Sequence, residues 1–138
     1  MKIVLDANIL ISSFFWGGNP KTIIERIISG IDEMFITKEI LDEIYGVIRR
    51  PKFHADNDRI NYLINSIEEI GNIITPQKLV KNGSRDKTDN KYIECGIAAD
   101  VHYLISGDIH LLELKKYESI KIVTAKDYLD IVNNTSGI

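Results

Sequence analysis

The chain has 138 residues, of which 44% are hydrophobic and 27% charged, with a net charge of −3; this composition predicts one domain over residues 1–138 with a real core. No apolar run approaches the ~20 residues that a membrane span needs, and the N-terminus lacks the pattern of a signal peptide, so we expect a cytoplasmic protein without a membrane partner. A single cysteine, Cys95, excludes an intrachain disulfide and a cysteine-based zinc site.

The first predicted element is a buried strand that ends in a carboxylate. Ile3, Val4 and Leu5 are typical of a strand covered on both faces of a parallel sheet, and Asp6 follows them directly. Ligands of open α/β sheets bind outside the carboxyl ends of the strands, so Asp6 lies where chemistry is expected. An Asp at a strand end can equally start a turn or cap a helix, and this alternative stays open.

Apolar residues at helical spacing, bounded by capping and terminating residues, predict helices over about 20–29, 38–50 and 57–70. A short strand is expected at 34–36, between the first two helices. Another short strand is expected around 73–74, where two isoleucines follow the third helix. Together with the opening strand, these elements predict an α/β fold.

The helix over 38–50 carries a carboxylate at the edge of its apolar stripe. At about 100° per residue, Glu43 lies closer to the stripe than Asp42 or Glu39. A carboxylate at the boundary of the core is well placed to line a pocket. The alternative is a solvated glutamate that forms an ion pair one helical turn away.

A polar turn over 82–89 leads into a predicted helix over 90–99. Asp89 falls in or just before the first turn of this helix, and the helical count directs it toward the inward face. A helix cap or a first-turn acid favoured by the helix dipole is the alternative for Asp89. Asp86 has the stronger turn-residue explanation because it lies within the polar loop.

A second buried strand, over 102–106, also leads into a carboxylate, Asp108. Gly107 between them lets the backbone approach a ligand closely. The remaining predicted elements are a short helix at 111–114, a strand at 121–123, a last helix that Thr124 caps and that reaches about 132, and a frayed tail at 133–138.

These observations define a carboxylate cluster, which consists of Asp6, Glu43, Asp89 and Asp108. Grouped carboxylates raise each other's pKa values and are costly to bury, and a divalent cation relieves both effects. Ligand sets made of oxygen alone favour Mg²⁺ or Mn²⁺. Such ions activate water and stabilise the charge that develops on a phosphodiester, so the cluster favours phosphodiester hydrolysis.

Four segments, taken in order, resemble the PIN domain family: LDANIL at 5–10, LDEI at 41–44 with RRPKF at 49–53, RDKTDNK at 85–91 and ISGD at 105–108. The likeness is strongest to small bacterial and archaeal proteins assigned as toxin ribonucleases of toxin–antitoxin pairs. It implies a three-layer α/β/α fold around a central parallel sheet, an acidic pocket for one or two Mg²⁺ or Mn²⁺ ions, and hydrolysis of RNA by a metal-activated water. It also suggests a homodimer and a small antitoxin protein as partner.

On this resemblance, the four acids of the carboxylate cluster fall on the family's metal-site positions and are the expected catalytic residues. Asp86 falls near the pocket, and Asn8 and Ser106 fall on polar positions beside it. His110 stands where similar sequences often carry a second acid; it can contact metal or phosphate, or be simply polar and partly exposed. We therefore expect one firmly held ion, with any second ion binding together with the substrate.

A net charge of −3 gives no strongly basic nucleic-acid footprint, so the distribution of basic residues matters more than their sum. Several basic residues lie close in sequence to the acidic motifs, and we expect them to form a rim that holds the phosphates of single-stranded RNA. Ordinary solubilising charge is the alternative for each of them. The expected rim residues are Lys38, Arg49, Arg50, Lys52, Arg85, Lys87 and Lys91.

Other classes of protein also place acids at strand ends. A PIN-like protein that binds RNA or a partner without cutting it is one alternative, although all four acids are present. An acidic Mg²⁺-binding signalling domain would have an acidic pair near the first strand, where this chain offers Asp6. A phosphatase with an aspartate nucleophile would have a second Asp where Asn8 stands.

Overall fold

The structure, a computed structural model, describes residues 1–80 and 83–136, with the backbone alone at 135 and 136. Its centre is a six-stranded sheet in the order β3-β2-β1-β4-β6-β5. The pairing of β5 with β6 is antiparallel and the other four pairings are parallel. The strands are β1 (Lys2–Leu5), β2 (Glu33–Ile36), β3 (Gly71–Ile73), β4 (Tyr103–Ile105), β5 (Lys116–Tyr117) and β6 (Ile120–Val123).

Helices flank this sheet, so the predicted α/β/α fold around a central parallel sheet is confirmed, with the antiparallel strand β5 added at one edge. Short 3-10 turns precede α4 and α5, at Pro51–Phe53 and Lys87–Asp89. No helix within residues 1–80 and 83–136 is both long and apolar enough to cross a bilayer. The helices are α1 (Ala7–Phe15), α2 (Gly18–Ile28), α3 (Lys38–Ile48), α4 (Asn57–Ile70), α5 (Asn90–Ala99), α6 (Ile109–Leu112) and α7 (Ala125–Ser136).

The middle of the sheet explains the unbroken apolar run at the start of the chain. Ile3, Val4 and Leu5 are at most 1% exposed, because β1 has strands on both sides and helices on both faces. The register pairs Leu5 with Ile105, so β1 and β4 end side by side. This register brings the residues that follow each strand to one edge of the sheet.

Helix α1 is the main element that the sequence analysis did not predict. The stretch over 9–16 is apolar almost throughout, so it lacks the polar face that marks an amphipathic helix. The structure nevertheless forms a helix over Ala7–Phe15, and Asp6 caps it by accepting a hydrogen bond from the backbone N–H of Ile9 at 2.9 Å. The helix-cap alternative for Asp6 is therefore correct.

Several predicted boundaries are shifted. Helix α2 begins at Gly18 rather than at Pro20, because Gly17 takes the cap position with a φ of +76°, which favours glycine. Helix α3 ends at Ile48, two residues before the predicted end.

The last part of the chain differs from the prediction more than these helix boundaries do. The antiparallel strand β5 was not predicted, since two residues are too few for a periodicity. Helix α7 continues to Ser136, so the tail expected at 133–138 is helical as far as the structure describes it. Residues 137 and 138 of that tail, and Asn82 of the predicted turn, lie outside the described residues.

Candidate metal centre

A cavity of about 220 Å³ opens at the edge of the sheet where β1 and β4 end. All four acids of the carboxylate cluster line it, so residues that are up to 102 positions apart in sequence (from Asp6 to Asp108) meet at one place. Asn8 and Asp86 also line it, as expected. The remaining lining residues are Ala7, Val47, Arg50, Thr88 and Tyr92. We call this the carboxylate cavity.

Asp6 is the most buried of the four acids, with 3% of the residue exposed. One of its oxygens caps α1, and the other accepts hydrogen bonds from the hydroxyl of Ser106 and, at 3.3 Å, from the backbone N–H of Gly107. Burial raises the pKa of Asp6, and the charge of Asp108 raises it further. The hydrogen bonds lower the pKa, but the net shift is upward. Asp6 is thus held rigidly in a position where its negative charge is disfavoured.

Ser106 joins the two strand-end acids. Its side chain is fully buried, and its hydroxyl donates to Asp6 while accepting the backbone N–H of Asp108 at 2.9 Å. The oxygen Oδ1 of Asp108 in turn caps α6 by accepting from the backbone N–H of His110 at 2.7 Å. The polar position expected for Ser106 is therefore a contact with both acids.

Asp89 is an acid with one carboxylate oxygen that has no hydrogen-bond partner among the described residues. It stands at the cap position of α5 but makes no capping hydrogen bond, so the cap alternative does not explain this carboxylate. It is 7% exposed, and its Oδ2 is buried without a hydrogen-bond partner among the described residues. Burial, followed by the charges of Asp108 and Asp86, raises the pKa of Asp89 to about 7. A buried, unpaired carboxylate oxygen is what a cation would stabilise.

Glu43 is half-buried at the boundary of the core, as the helical count predicted. The hydroxyl of Tyr92 donates to its Oε2, and Lys91 Nζ lies 3.3 Å from its Oε1. The same hydroxyl accepts the backbone N–H of Ala7 at 3.2 Å. Burial, together with the hydrogen bond to Glu43, raises the pKa of Tyr92, so the phenol keeps its proton. Tyr92 therefore holds Glu43 beside the first turn of α1.

Sequence reasoning missed Tyr92, although a signal was present. Tyr92 follows Asp89 by three residues, so the two share a helix face once Asp89 is directed inward. Sequence reasoning also misplaced Lys91, which was expected on the rim. Its side chain is only 8% exposed and pairs with Glu43, and its Nζ donates to the carbonyl of Thr88.

Among the expected rim residues, Arg50 lines the carboxylate cavity. Arg85 does not; its guanidinium lies 3.5 Å from Glu113, with 76% of the side chain exposed. Lys38, Arg49, Lys52 and Lys87 are exposed and lie outside the lining.

Asp86 and His110, two polar residues near the cavity, also make local contacts. Asp86 is exposed and accepts hydrogen bonds from the hydroxyl and the backbone N–H of Thr88, at 2.7 and 3.0 Å, and these bonds lower its pKa. The turn-residue explanation of Asp86 is thus correct, and its carboxylate still lines the cavity. His110 is half-buried, and its Nδ1 lies 3.8 Å from Glu113 rather than in the cavity lining.

The chemistry of the residues that line the cavity suits a hard divalent cation. Their arrangement in this structure does not form a complete metal site. The donors are all carboxylate oxygens, and Asp89 offers one that is buried and unpaired. In the part of the chain that the structure describes, no group of three or more His, Cys, Asp or Glu side chains is arranged to hold a metal ion. Ser106 donates a hydrogen bond to Asp6, and Tyr92 and Lys91 contact Glu43.

Comparisons with known proteins agree with this architecture. A sequence model described as PIN domain matches residues 2–110. The fold is similar to VapBC2 from Rickettsia felis, solved bound to a DNA fragment from its promoter (TM-score 0.60, 14% identity, covering 88% of this chain and 97% of that one). It is also similar to VapBC-1 from nontypeable Haemophilus influenzae (TM-score 0.57, 17% identity, 91% and 99%). No curated protein sequence gave a match.

At such identities the solved structures show a shared fold, and the sequence model carries the assignment to a family. The matched residues include all four acids of the carboxylate cluster and the two strands that place Asp6 and Asp108. This chain belongs to the PIN domain family.

Proposed function

We propose that the protein is a metal-dependent endoribonuclease that hydrolyses phosphodiester bonds of single-stranded RNA. The observation that carries the proposal is the carboxylate cavity, in which four acids converge and one buried oxygen of Asp89 has no partner. Membership of a family whose toxin members are generally nucleases supports it.

The carboxylate cluster would hold one Mg²⁺ or Mn²⁺ ion firmly, and a second ion would bind with the substrate. When bound, such an ion supplies charge neutralisation and an activated water for attack on phosphorus. Every other contribution comes from the chain itself. Ser106 and the N–H of Gly107 orient Asp6, and Tyr92 and Lys91 orient Glu43.

Arg50 is placed to bind the scissile phosphate. It lines the carboxylate cavity, and a guanidinium donates paired hydrogen bonds to phosphate oxygens. Its positive charge also counters the four carboxylates, which would otherwise repel an RNA strand. His110 and Arg85 lie outside the lining, so we assign them at most long-range effects on the substrate.

The first test is cleavage of a labelled single-stranded RNA by wild-type protein and by Asp6→Asn, with Mg²⁺, with Mn²⁺ and with chelator. We expect cleavage that requires metal and that falls at least a hundredfold in Asp6→Asn, since a ligand held by three hydrogen bonds is lost. Asp42→Asn is the matched control, because Asp42 is an exposed acid next to Glu43 on α3. Cleavage in chelator, or equal loss in the control, would contradict the proposal.

A second candidate function is a PIN-like protein that binds RNA or a partner without turnover. One observation favours it: the acids within the described residues do not form a ready-made metal site. Calorimetric titration with Mn²⁺ distinguishes the two functions when it is combined with the cleavage assay. Metal or RNA binding without cleavage of any RNA tested would establish the second candidate.

We also propose that the protein is the toxin of a toxin–antitoxin pair, acts on RNA in the cytoplasm, and forms a homodimer. The support is the likeness in fold to two VapBC structures, which are toxin–antitoxin complexes. Expression alone should arrest growth, and co-expression with a neighbouring gene for a small DNA-binding protein should restore it. Light scattering of the purified protein tests the dimer. Growth unaffected by the active protein would remove the toxin role.

A further inference from the structure

We propose that an aromatic surface around the exposed Trp16, at the end of α1, stacks against bases of the single-stranded RNA whose phosphate lies in the carboxylate cavity. We name this surface the Trp16 platform, and it consists of Phe15, Trp16 and Phe53. The choice of RNA as occupant rests on the proposed function. The platform itself rests on ring geometry, exposure and charge.

The three rings support one another. The centroid of Trp16 lies 5.8 Å from that of Phe15 and 6.1 Å from that of Phe53, and the two phenylalanine centroids are 5.2 Å apart. The phenylalanines are partly buried against the core, while Trp16 is 70% exposed. Two neighbouring rings restrict the rotamers of the Trp16 indole. The side chain would therefore lose little conformational entropy when a base stacks on it.

Cations lie over these rings. Lys52 Nζ is 5.0 Å from the centroid of Phe53, and the guanidinium carbon of Arg59 is 4.8 Å from that of Phe15. The acids nearest in sequence to Phe53 and Arg59 are Asp56 and Asp58. Asp56 uses one oxygen to cap α4. Aromatic rings with interleaved cations are the usual composition of surfaces that bind single-stranded nucleic acid, because bases stack and phosphates pair with the cations.

A second apolar surface lacks this composition. A cavity of about 500 Å³ between α1, α2 and α4 is lined by isoleucines, Phe14 and Tyr62. Its charged lining residues are Glu25, Glu69 and Lys21, so the acids outnumber the single base. A polyanion would be disfavoured there, whereas the Trp16 platform has basic residues directly on its rings.

The chain connects the platform to the carboxylate cavity in two ways. Arg50 lines the cavity, and Lys52 and Phe53 follow it within three residues. Helix α1 begins at the cap residue Asp6 and ends at Trp16, a span of roughly 15 Å at ~1.5 Å per residue. That span equals about four nucleotides at the ~3.4 Å rise of a stacked strand. A strand with a phosphate in the carboxylate cavity near Asp6 would therefore bring a base about four nucleotides away to the platform.

Trp16 is the sole tryptophan of the chain, so its fluorescence reports on the platform directly. We would titrate the protein, with chelator present to prevent cleavage, with a ten-residue oligouridylate and with an abasic strand of equal length. We expect the base-bearing strand to quench the fluorescence and the abasic strand not to. Full binding of the oligouridylate without any change in the fluorescence would overturn the proposal.

Variants test the energetics with a labelled oligouridylate and anisotropy. Trp16→Ala should bind about tenfold more weakly, because one stacking partner is lost, and Trp16→Phe should stay within about threefold of wild type. Tyr62→Ala is the matched control, since Tyr62 is a similarly exposed aromatic residue on α4 in the other cavity. Equal affinity of Trp16→Ala and wild type would overturn the proposal, and so would an equal loss in Tyr62→Ala.

A cleavage arm with Mn²⁺ separates this inference from the proposed function. We expect Trp16→Ala to raise KM on the ten-residue RNA about tenfold, with the effect on KM rather than kcat. Absence of cleavage by wild type, together with quenching by the oligouridylate, would reject the nuclease and retain the platform. Trp16→Ala could instead keep a normal KM and a normal affinity for RNA, while an antitoxin neutralises it less well or its oligomeric state changes. That result would make the surface a protein contact and reject the platform.

Discussion

At the scale of single residues, the acids of this site serve the fold and the cavity at once. Asp6 and Asp108 each cap a helix with one oxygen, which fixes the carboxylate in place at the lining of the cavity. Asp89 differs, because its side chain caps nothing and its Oδ2 has no partner within the described residues. It is therefore the acid whose presence stability alone explains least.

Replacing Asp89 by Asn should stabilise the metal-free protein. The raised pKa of about 7 means that folded protein holds a proton at Asp89 that unfolded protein releases near pH 4. This contribution to stability is present below pH 4 and is lost as the pH rises to about 7. Asp89→Asn should thus match wild type near pH 4 and exceed it at pH 8 by an amount on the order of 4 kcal/mol, because a shift of about three pKa units is worth ~1.4 kcal/mol per unit, and its Tm should rise accordingly.

The same variant should lose its response to metal. Ions that bind only the folded state raise its stability, by about 2.7 kcal/mol at a hundredfold excess over Kd. We expect Mn²⁺ to raise the Tm of wild type and of Asp42→Asn, and to leave Asp89→Asn unaffected. Thermal unfolding in chelator and in Mn²⁺ checks both parts. A lower Tm for Asp89→Asn in chelator at pH 8 would contradict the assignment of Asp89 as an unpaired buried charge.

At the scale of secondary structure, α5 contributes most to the site. Asp89 stands at its cap position, Lys91 and Tyr92 lie in its first turn, and the helix packs against β1, β2 and β4. Close packing on the sheet depends on Gly96, where an added Cβ would lie 3.0 Å from Ile120 and 3.1 Å from Val101. The helix therefore needs glycine at a position that helix propensity alone would fill with alanine.

A pair of glycine variants tests this dependence. Gly46→Ala in α3 should stabilise the protein by about 0.5–1 kcal/mol, because a Cβ there meets nothing within 4 Å and alanine favours the helix. Gly96→Ala should destabilise it by about 1 kcal/mol, since crowding of the core outweighs the same gain. Urea unfolding of both variants measures the difference. Stabilisation by Gly96→Ala would show that Ile120 and Val101 move freely.

At the scale of the whole molecule, the sheet order places charge unevenly. Because β1 and β4 are neighbours, the acids gather at one edge of the sheet. The net charge of −3 does not reveal the basic residues that lie beside them. Arg50 enters the cavity lining, and Arg49 and Lys52 lie next to it in sequence. Recognition of RNA should therefore depend on this local group rather than on the overall field.

The salt dependence of RNA binding tests this distribution. About three phosphate contacts predict a slope of log K against log salt concentration of about −2 for a single strand. Arg50→Glu should weaken binding more than tenfold and flatten the slope. Arg85→Glu is the control with the same charge change, and it should have little effect because Arg85 is mostly exposed and pairs with Glu113. Equal losses in both variants would place the rim elsewhere.

The sequence alone determined which segments are buried and where the acids stand along them. Uninterrupted apolar runs predicted β1 and β4, and helical spacing predicted α4 and α5 at their observed bounds. These patterns are local, since burial on one face of a helix or both faces of a strand repeats with a fixed period. The four acids followed from strand ends and helix faces, with the family resemblance added. Helix α1 was missed because it has no polar face.

Only the tertiary structure decided the partners. The pairing of Lys91 and Tyr92 with Glu43, and the meeting of Trp16 with Phe53, join residues that are tens of positions apart. No local period encodes such contacts, because they depend on the strand order β3-β2-β1-β4-β6-β5, in which chain neighbours are not always sheet neighbours. For that reason, Lys91 was predicted on the rim and is found buried against an acid.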